Sequence, residues 1–194
     1  GKTFDELLET NSLEYSQLMD LFHIHGFYMF VAGKFHGDIH PGNIILSDGY
    51  IYFIDTGYVG YIGDKIRKGL FSFFEALSVY DYPRCAKALN QMSEKELTGR
   101  TYNEYFKKFL LLYQDFTDKT VSEISLTKKM MQTIKLGVHS GMNFEKSIFA
   151  IIRSLMYMDG MVLRFKPDAV LMKDMRKFID EFKGILRFNG KNQF

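Results

Sequence analysis

From Gly63 to about residue 187 the sequence keeps a single period. Apolar residues recur at three- and four-residue spacing through six stretches, roughly 64 to 80, 83 to 91, 101 to 115, 122 to 139, 144 to 164 and 168 to 187. That spacing places them on one face of a helix, which has to be buried against another helix. A chain so patterned folds as a mainly helical bundle. Only three prolines occur in the whole sequence, and Pro83 and Pro167 stand near helix starts, where the missing N–H costs nothing. With 194 residues, 46% hydrophobic and 16% aromatic, the chain has enough apolar surface for one real core, and we expect one domain over 1–194 belonging to a longer protein.

The first third is mixed. Thr3 and Glu6 have the spacing of a capping box, and Phe4, Leu7 and Leu8 fall on one side of the short helix that would follow. A second helical pattern, Leu13 to about Gly33, carries Leu18, Leu21, Phe22, Phe27, Phe30 and Val31 on its apolar face, with Gly26 inside it. Two β-prone runs come next, Ile44 to Leu46 and Tyr50 to Ile54, separated by the turn Ser47-Asp48-Gly49. They make one small hairpin. The expected fold is therefore mainly α with an α+β element, a helical bundle and one β-hairpin.

Between the long helix and the hairpin lies F-H-G-D-I-H-P-G-N, Phe35 to Asn43. His36 and His40 are four apart, but Pro41 and Gly42 break the helix that a zinc-binding pair would need. Ser47 lacks the setting of a serine nucleophile. Phosphoryl transfer uses more of the residues. That chemistry needs a carboxylate beside the attacking hydroxyl and oxygen ligands that hold magnesium against the phosphates of a nucleotide. Asp38 and Asn43 stand in D-x-x-x-x-N spacing, and Asp55, twelve residues after Asn43, ends the second β-prone run just before Thr56-Gly57. The order helix, H-x-D-x-x-x-x-N, strand, turn, strand, D-x-G is that of the catalytic half of protein kinases. On this reading His36 braces the loop and Asp38 is the base or hydroxyl-orienting group. Asn43 and Asp55 ligate magnesium, and His40 takes the phosphate-facing position.

The whole segment F-H-G-D-I-H-P-G-N-I-I-L-S-D-G-Y-I-Y-F-I-D-T-G-Y-V-G resembles the UbiB family of atypical kinase-like proteins, whose pattern is close to F-H-A-D-P-H-P-G-N, a hairpin, then I-D-F-G-x-x-G. A weaker likeness lies at Arg153-Ser154-Leu155, Asp159 to Arg164 and Pro167-Asp168. The resemblance implies a protein-kinase-like C-terminal lobe, dependent on ATP and magnesium, supporting isoprenoid-quinone or lipid metabolism at a membrane surface. It carries over Asp38, Asn43 and Asp55, with His36 and His40 beside them. Gly37, Ile39 and Thr56 depart from the family's alanine, proline and phenylalanine. H-G-D-x-H-x-x-N is also how aminoglycoside and choline phosphotransferases write this loop, so a small-molecule phosphotransferase is the alternative, with a non-catalytic pseudokinase module as a third. Nothing in the sequence resembles the nucleotide-covering lobe, so the chain by itself is expected to be inactive.

Partners and location follow from composition. A formal net charge of +2, with scattered lysines, gives no footprint for nucleic acid. The single cysteine, Cys85, reads as a core thiol in a reducing compartment. No run approaches the roughly 18 to 20 apolar residues of a spanning helix, and from the acidic start we expect no signal peptide. We expect a cytoplasmic protein, with peripheral membrane contact allowed by the family likeness. Its partners would be a nucleotide and a small-molecule or lipid substrate. Splitting a kinase fold between its lobes would expose apolar surface, so self-association is expected as well.

Overall fold

The computed structural model describes residues 1–191, with side chains through residue 187. In chain order the elements are β1 (Lys2–Thr3), α1 (Phe4–Glu9), α2 (Tyr15–Phe27), β2 (Lys34–His36), β3 (Ile44–Ser47), β4 (Tyr50–Phe53) and β5 (Val59–Tyr61). Helices α3 (Asp64–Ser78), α4 (Tyr82–Met92), α5 (Gly99–Tyr113), α6 (Leu126–His139), α7 (Ser147–Phe165) and α8 (Leu171–Lys191) follow. The mainly helical expectation holds. The six expected helices are all present, with ends within a few residues of the sequence reading.

Local chemistry explains the N-terminal elements. Thr3 Oγ1 accepts the Glu6 N–H at 3.2 Å, and the Glu6 carboxylate accepts the Thr3 N–H at 2.7 Å, closing the capping box that starts α1. Phe4, Leu7 and Leu8 are buried. The long second helix does not run unbroken: α2 gives way to a π-helical turn, Tyr28–Ala32, which ends at Gly33. The hairpin is in place, with Asp48 and Gly49 at φ 51° and 80° forming its two-residue turn. A left-handed conformation at both positions matches the twist of the strands, and Gly49 takes it at no steric cost.

One small hairpin was too simple an expectation. β1 adds to the hairpin through Lys2–Leu46 and Thr3–Ile45, giving a three-stranded antiparallel sheet in the order β1-β3-β4. A second sheet joins β2 to β5, pairing Phe35 with Gly60. This second sheet is what positions the site.

The helices enclose a core rich in aromatic residues. Tyr105, Phe109 and Tyr113 line one face of α5 and are buried, and Phe109 stacks on Tyr113 at 4.8 Å. Their hydroxyls find partners. Tyr105 donates to the Ala86 carbonyl at 3.0 Å and Tyr113 shares a hydrogen bond with Thr133 at 2.8 Å. Phe71, Phe73, Phe74 and Leu77 are also buried, as core packing requires, each worth about 1.5–3 kcal/mol of transfer free energy. Cys85 is fully buried, and burial pushes its thiol up to about 12. Among the described residues no helix is long and apolar enough to cross a membrane.

Candidate functional site

Two loops face each other because their flanking strands pair. The first, residues 37–43, leaves β2 and enters β3; the second, residues 54–58, leaves β4 and enters β5. At one end the Gly37 N–H donates to the Tyr58 carbonyl at 2.9 Å, continuing the β2–β5 ladder. At the other end the Ile54 N–H donates to the Asn43 carbonyl at 2.9 Å, continuing the β3–β4 ladder. The loops are thus tied to each other at both ends. Asp38 and Asn43 ride on the first, Asp55 on the second.

The first loop is folded on itself by its own side chains. Asn43 Nδ2 donates to the Asp38 carbonyl at 3.1 Å and to Asp38 Oδ2 at 3.3 Å. This holds the half-buried carboxylate and leaves Asn43 Oδ1 uncommitted. The Asp38 N–H donates to His36 Nδ1 at 3.2 Å, which braces the loop. Its ring packs on Phe53 at 5.8 Å, and Nε2 is buried with no hydrogen-bond partner among the described residues. Ile39, between the functional positions, is fully buried and pins the loop to the core.

His40 is placed differently from the other four residues. Its Nδ1 accepts the Gly42 N–H at 3.1 Å and caps the tight turn Pro41–Asn43, and its ring stands edge-on to Tyr157 of α7 at 5.5 Å. It makes no side-chain hydrogen bond to Asp38 or Asn43. With Nδ1 used as an acceptor, the exposed ring keeps Nε2 for a ligand. Asp55 is exposed, has a φ of 53° and forms no ion pair among the described residues. A non-glycine residue in that conformation is uncommon and is found where a loop must aim a side chain.

The donor set suits a hard cation. A free amide oxygen and an unpaired carboxylate, on loops tied together at both ends, are the oxygen ligands magnesium prefers when phosphates and water complete its shell. No group of three or more histidine, cysteine or carboxylate side chains is placed to hold a metal among the described residues. An all-protein metal cage is not what this site offers.

Two residues beyond the expected set complete the arrangement. Arg153 of α7 donates to the Gly37 carbonyl at 3.0 Å, and its guanidinium lies 5.9 Å from the centre of the Tyr58 ring. That ring covers Gly37 so closely that a Cβ there would fall 1.6 Å from Tyr58 Cδ1. Gly37, the residue before Asp38, is therefore held at its N–H, its carbonyl and its open face. The available signal was Arg153 as the only charge between Ser147 and Asp159 in an apolar helical stretch. Tyr58 carried none.

Behind the loop, His25 of α2 is buried and bonds Ser154 Oγ at 3.2 Å. Burial, helped by the neighbouring His36, lowers its pKa to about 4. Thr56, which stands where the family pattern has phenylalanine, lines a cavity of about 230 Å³ with His25, His36, Phe53 and Val59.

Residues 4–89 match the model of the ABC1 atypical kinase-like domain, a span that contains all five expected site residues. The chain is similar to the probable protein kinase UbiB of Pasteurella multocida, 25% identical over 163 residues, covering 79% of this chain and 31% of that protein. It is also similar to an uncharacterized aarF domain-containing protein kinase, chloroplastic, of Arabidopsis thaliana, 23% identical over 180 residues, 81% of this chain and 33% of that protein. An uncharacterized protein encoded in the hydrogenase 1 5′ region of Clostridium pasteurianum is 21% identical over 141 residues, 72% of this chain and 26% of that one. The chain thus spans about a quarter to a third of the length of the curated relatives it matches. No solved structure matches it significantly.

Proposed function

We propose that this chain is of the UbiB-type atypical kinase-like family, as its match to the ABC1 model supports, and that it carries the catalytic-loop half of a site that uses ATP and magnesium for phosphoryl transfer or ATP hydrolysis. The observation that supports it most is the pair of facing loops, with Asn43 binding Asp38 on one and the unpaired Asp55 on the other. Asn43 Oδ1 and the Asp55 carboxylate would hold the metal. A bound magnesium ion supplies charge neutralisation at the phosphates. Asp38 has its second oxygen left to accept the proton of an attacking hydroxyl or to orient a water. His36 keeps the Asp38 peptide in place, and His40 offers an N–H to a phosphate oxygen.

The substrate we propose is a quinone precursor or a lipid head group, met at a membrane surface. Relatives named as probable protein kinase UbiB suggest this direction. Eight residues separate Asp55 from α3, and three of them are β5, which leaves too little chain for a peptide-docking platform. Tyr50 and Tyr52 on β4 and Tyr61 on β5 are exposed, which supports self-association, measurable by light scattering.

The test is the thermal-unfolding midpoint with and without ATP and magnesium, for the chain and for Asp55→Asn. Ligand at a hundred times its Kd stabilises by about 2.7 kcal/mol. The expected result is a magnesium-dependent rise that Asp55→Asn abolishes. A rise that survives the substitution, or no rise in a longer protein that also carries the nucleotide-covering half, would overturn this assignment. For the substrate, acceleration of ATP turnover by quinone precursors or lipids, and not by aminoglycosides, choline or peptides, is the expected pattern.

A further inference from the structure

A second, larger concavity lies along α3 and is lined by no residue of either loop, so it is independent of the proposed nucleotide site. It has a volume of about 700 Å³ and runs between α3, the π-helical turn and α8. The α3 wall presents Arg67, Lys68, Phe71, Ser72 and Glu75, a single helical face. Across it stand Lys183, Leu186 and Arg187 of α8, again at i, i+3 and i+4, with Arg84 at one end.

The charge balance of this cleft is unusual for the chain. Among the residues lining it, Arg67, Lys68, Arg84, Lys183 and Arg187 stand with Asp64 and Glu75, five cations against two carboxylates or +3, and Arg84 also pairs with Asp81 at 3.8 Å. The entire chain carries +2, so everything outside the cleft sums to −1. The cleft floor is apolar, with Phe30 and Phe71 buried edge to face at 5.6 Å. A low-dielectric floor beneath the charged walls strengthens the field of the cations in the cleft.

The basic residues are not equivalent. Arg67 is a fixture: its guanidinium donates to the Phe30 and Val31 carbonyls at 3.3 and 3.0 Å and to Asp64 at 2.9 Å. Arg84 and Lys183 both converge on Glu75, Arg84 at 3.0 Å. Lys68 forms no ion pair among the described residues. The Glu75 carboxylate thus sits where an incoming anion would sit, held by the two cations that would receive it.

We infer that the α3–α8 cleft binds a phosphate-bearing ligand, with Glu75 acting as an internal carboxylate that the phosphate displaces from Arg84 and Lys183. Arginine and lysine around one anion favour the multiple charge-assisted hydrogen bonds that a phosphate accepts. The apolar floor suits the non-phosphate part of the same molecule, and the volume falls in the range of small-ligand sites.

Opposite changes at two residues make the test. Inorganic pyrophosphate is titrated into the chain by calorimetry with EDTA present, so that a metal-dependent site does not contribute. Lys68→Ala, at an exposed position, is expected to weaken binding by about tenfold, the loss of one charge-assisted hydrogen bond. Glu75→Gln is expected to tighten it, and Asp55→Asn to leave it unchanged. A parallel arm measures co-sedimentation with phosphatidic acid and with phosphatidylcholine vesicles. Binding to the former alone, weakened by Lys68→Ala, would support the same site and identify a lipid head group as the phosphate source. Pyrophosphate binding without vesicle binding would support it with a soluble ligand. Binding that follows ionic strength and ignores both cleft substitutions, or no binding in either arm, would overturn the inference.

Discussion

Replacing Gly37 by alanine tests how the peptide before Asp38 is held. The new Cβ would land 1.6 and 2.0 Å from Tyr58 Cδ1 and Cε1, so the ring has to leave. The ring would lose its edge-on contact with Phe35 at 6.3 Å, worth about 0.5–1.5 kcal/mol. It would also lose the Arg153 guanidinium, worth about 0.5–1 kcal/mol at an exposed site. Gly37→Ala should therefore cost roughly 1–2.5 kcal/mol. In a Tyr58→Ala background the same substitution meets no ring. Gly37 does not lie in the left-handed region, so alanine fits its backbone and should stabilise by about 0.4–1 kcal/mol through the unfolded chain. The sign of the effect reverses between backgrounds. Urea unfolding of the four proteins, followed by circular dichroism, measures both legs of the cycle. An equal cost of Gly37→Ala with and without Tyr58 would refute the reasoning.

Three further outcomes are expected. His25 has a pKa of about 4 when folded and 6.5 when unfolded, so between those values the unfolded chain binds the extra proton and acid favours unfolding. Stability present above pH 6.5 should fall by about 2 kcal/mol at pH 5 and about 3 kcal/mol near pH 4 from this residue, a slope that His25→Gln removes in urea midpoints. Cys85, pushed up to about 12 by burial, should resist a thiol reagent at pH 8 until the chain is unfolded, and rapid labelling of the native protein would contradict its placement. Asp159 Oδ2 accepts from Ser125 Oγ at 2.6 Å and from the Thr127 N–H at 3.3 Å, tying the start of α6 to α7. Asp159→Ala should cost about 1–3 kcal/mol in thermal or urea unfolding, and a neutral result would deny that tie.

What was readable in the sequence was what short-range chemistry determines. The Thr3–Glu6 box, the Asp48-Gly49 turn and the helical faces each depend on residues within one or two turns of each other, and each stands where the spacing puts it. Strands β1, β2 and β5 are two or three residues long, too short to show a period, and β2 exists only because β5 returns to it more than twenty residues later. The same holds for the site. His36 ends β2 and Asp38 and Asn43 lie in the loop that follows it, so the bonds of Asp38 to each of them span only a few residues. Arg153 reaches Gly37 across 116 positions, and its contact can be seen only once α7 is packed behind the loop. His40 follows the same division. Its spacing pointed to a phosphate, while its observed bond is local, to the amide two residues on.

The two loops are tied by the Gly37 amide at one end and the Ile54 amide at the other, with Tyr58 and Arg153 closing the first end only. If the loops part as one cooperative unit, those two amides exchange with solvent deuterium at the same opening free energy. If the Ile54 end frays alone, its amide exchanges sooner, and the Asp55 carboxylate wanders while Asp38 stays still. The ratio of the two protection factors thus states whether the second carboxylate of this site is pre-set or must be recruited by whatever binds there.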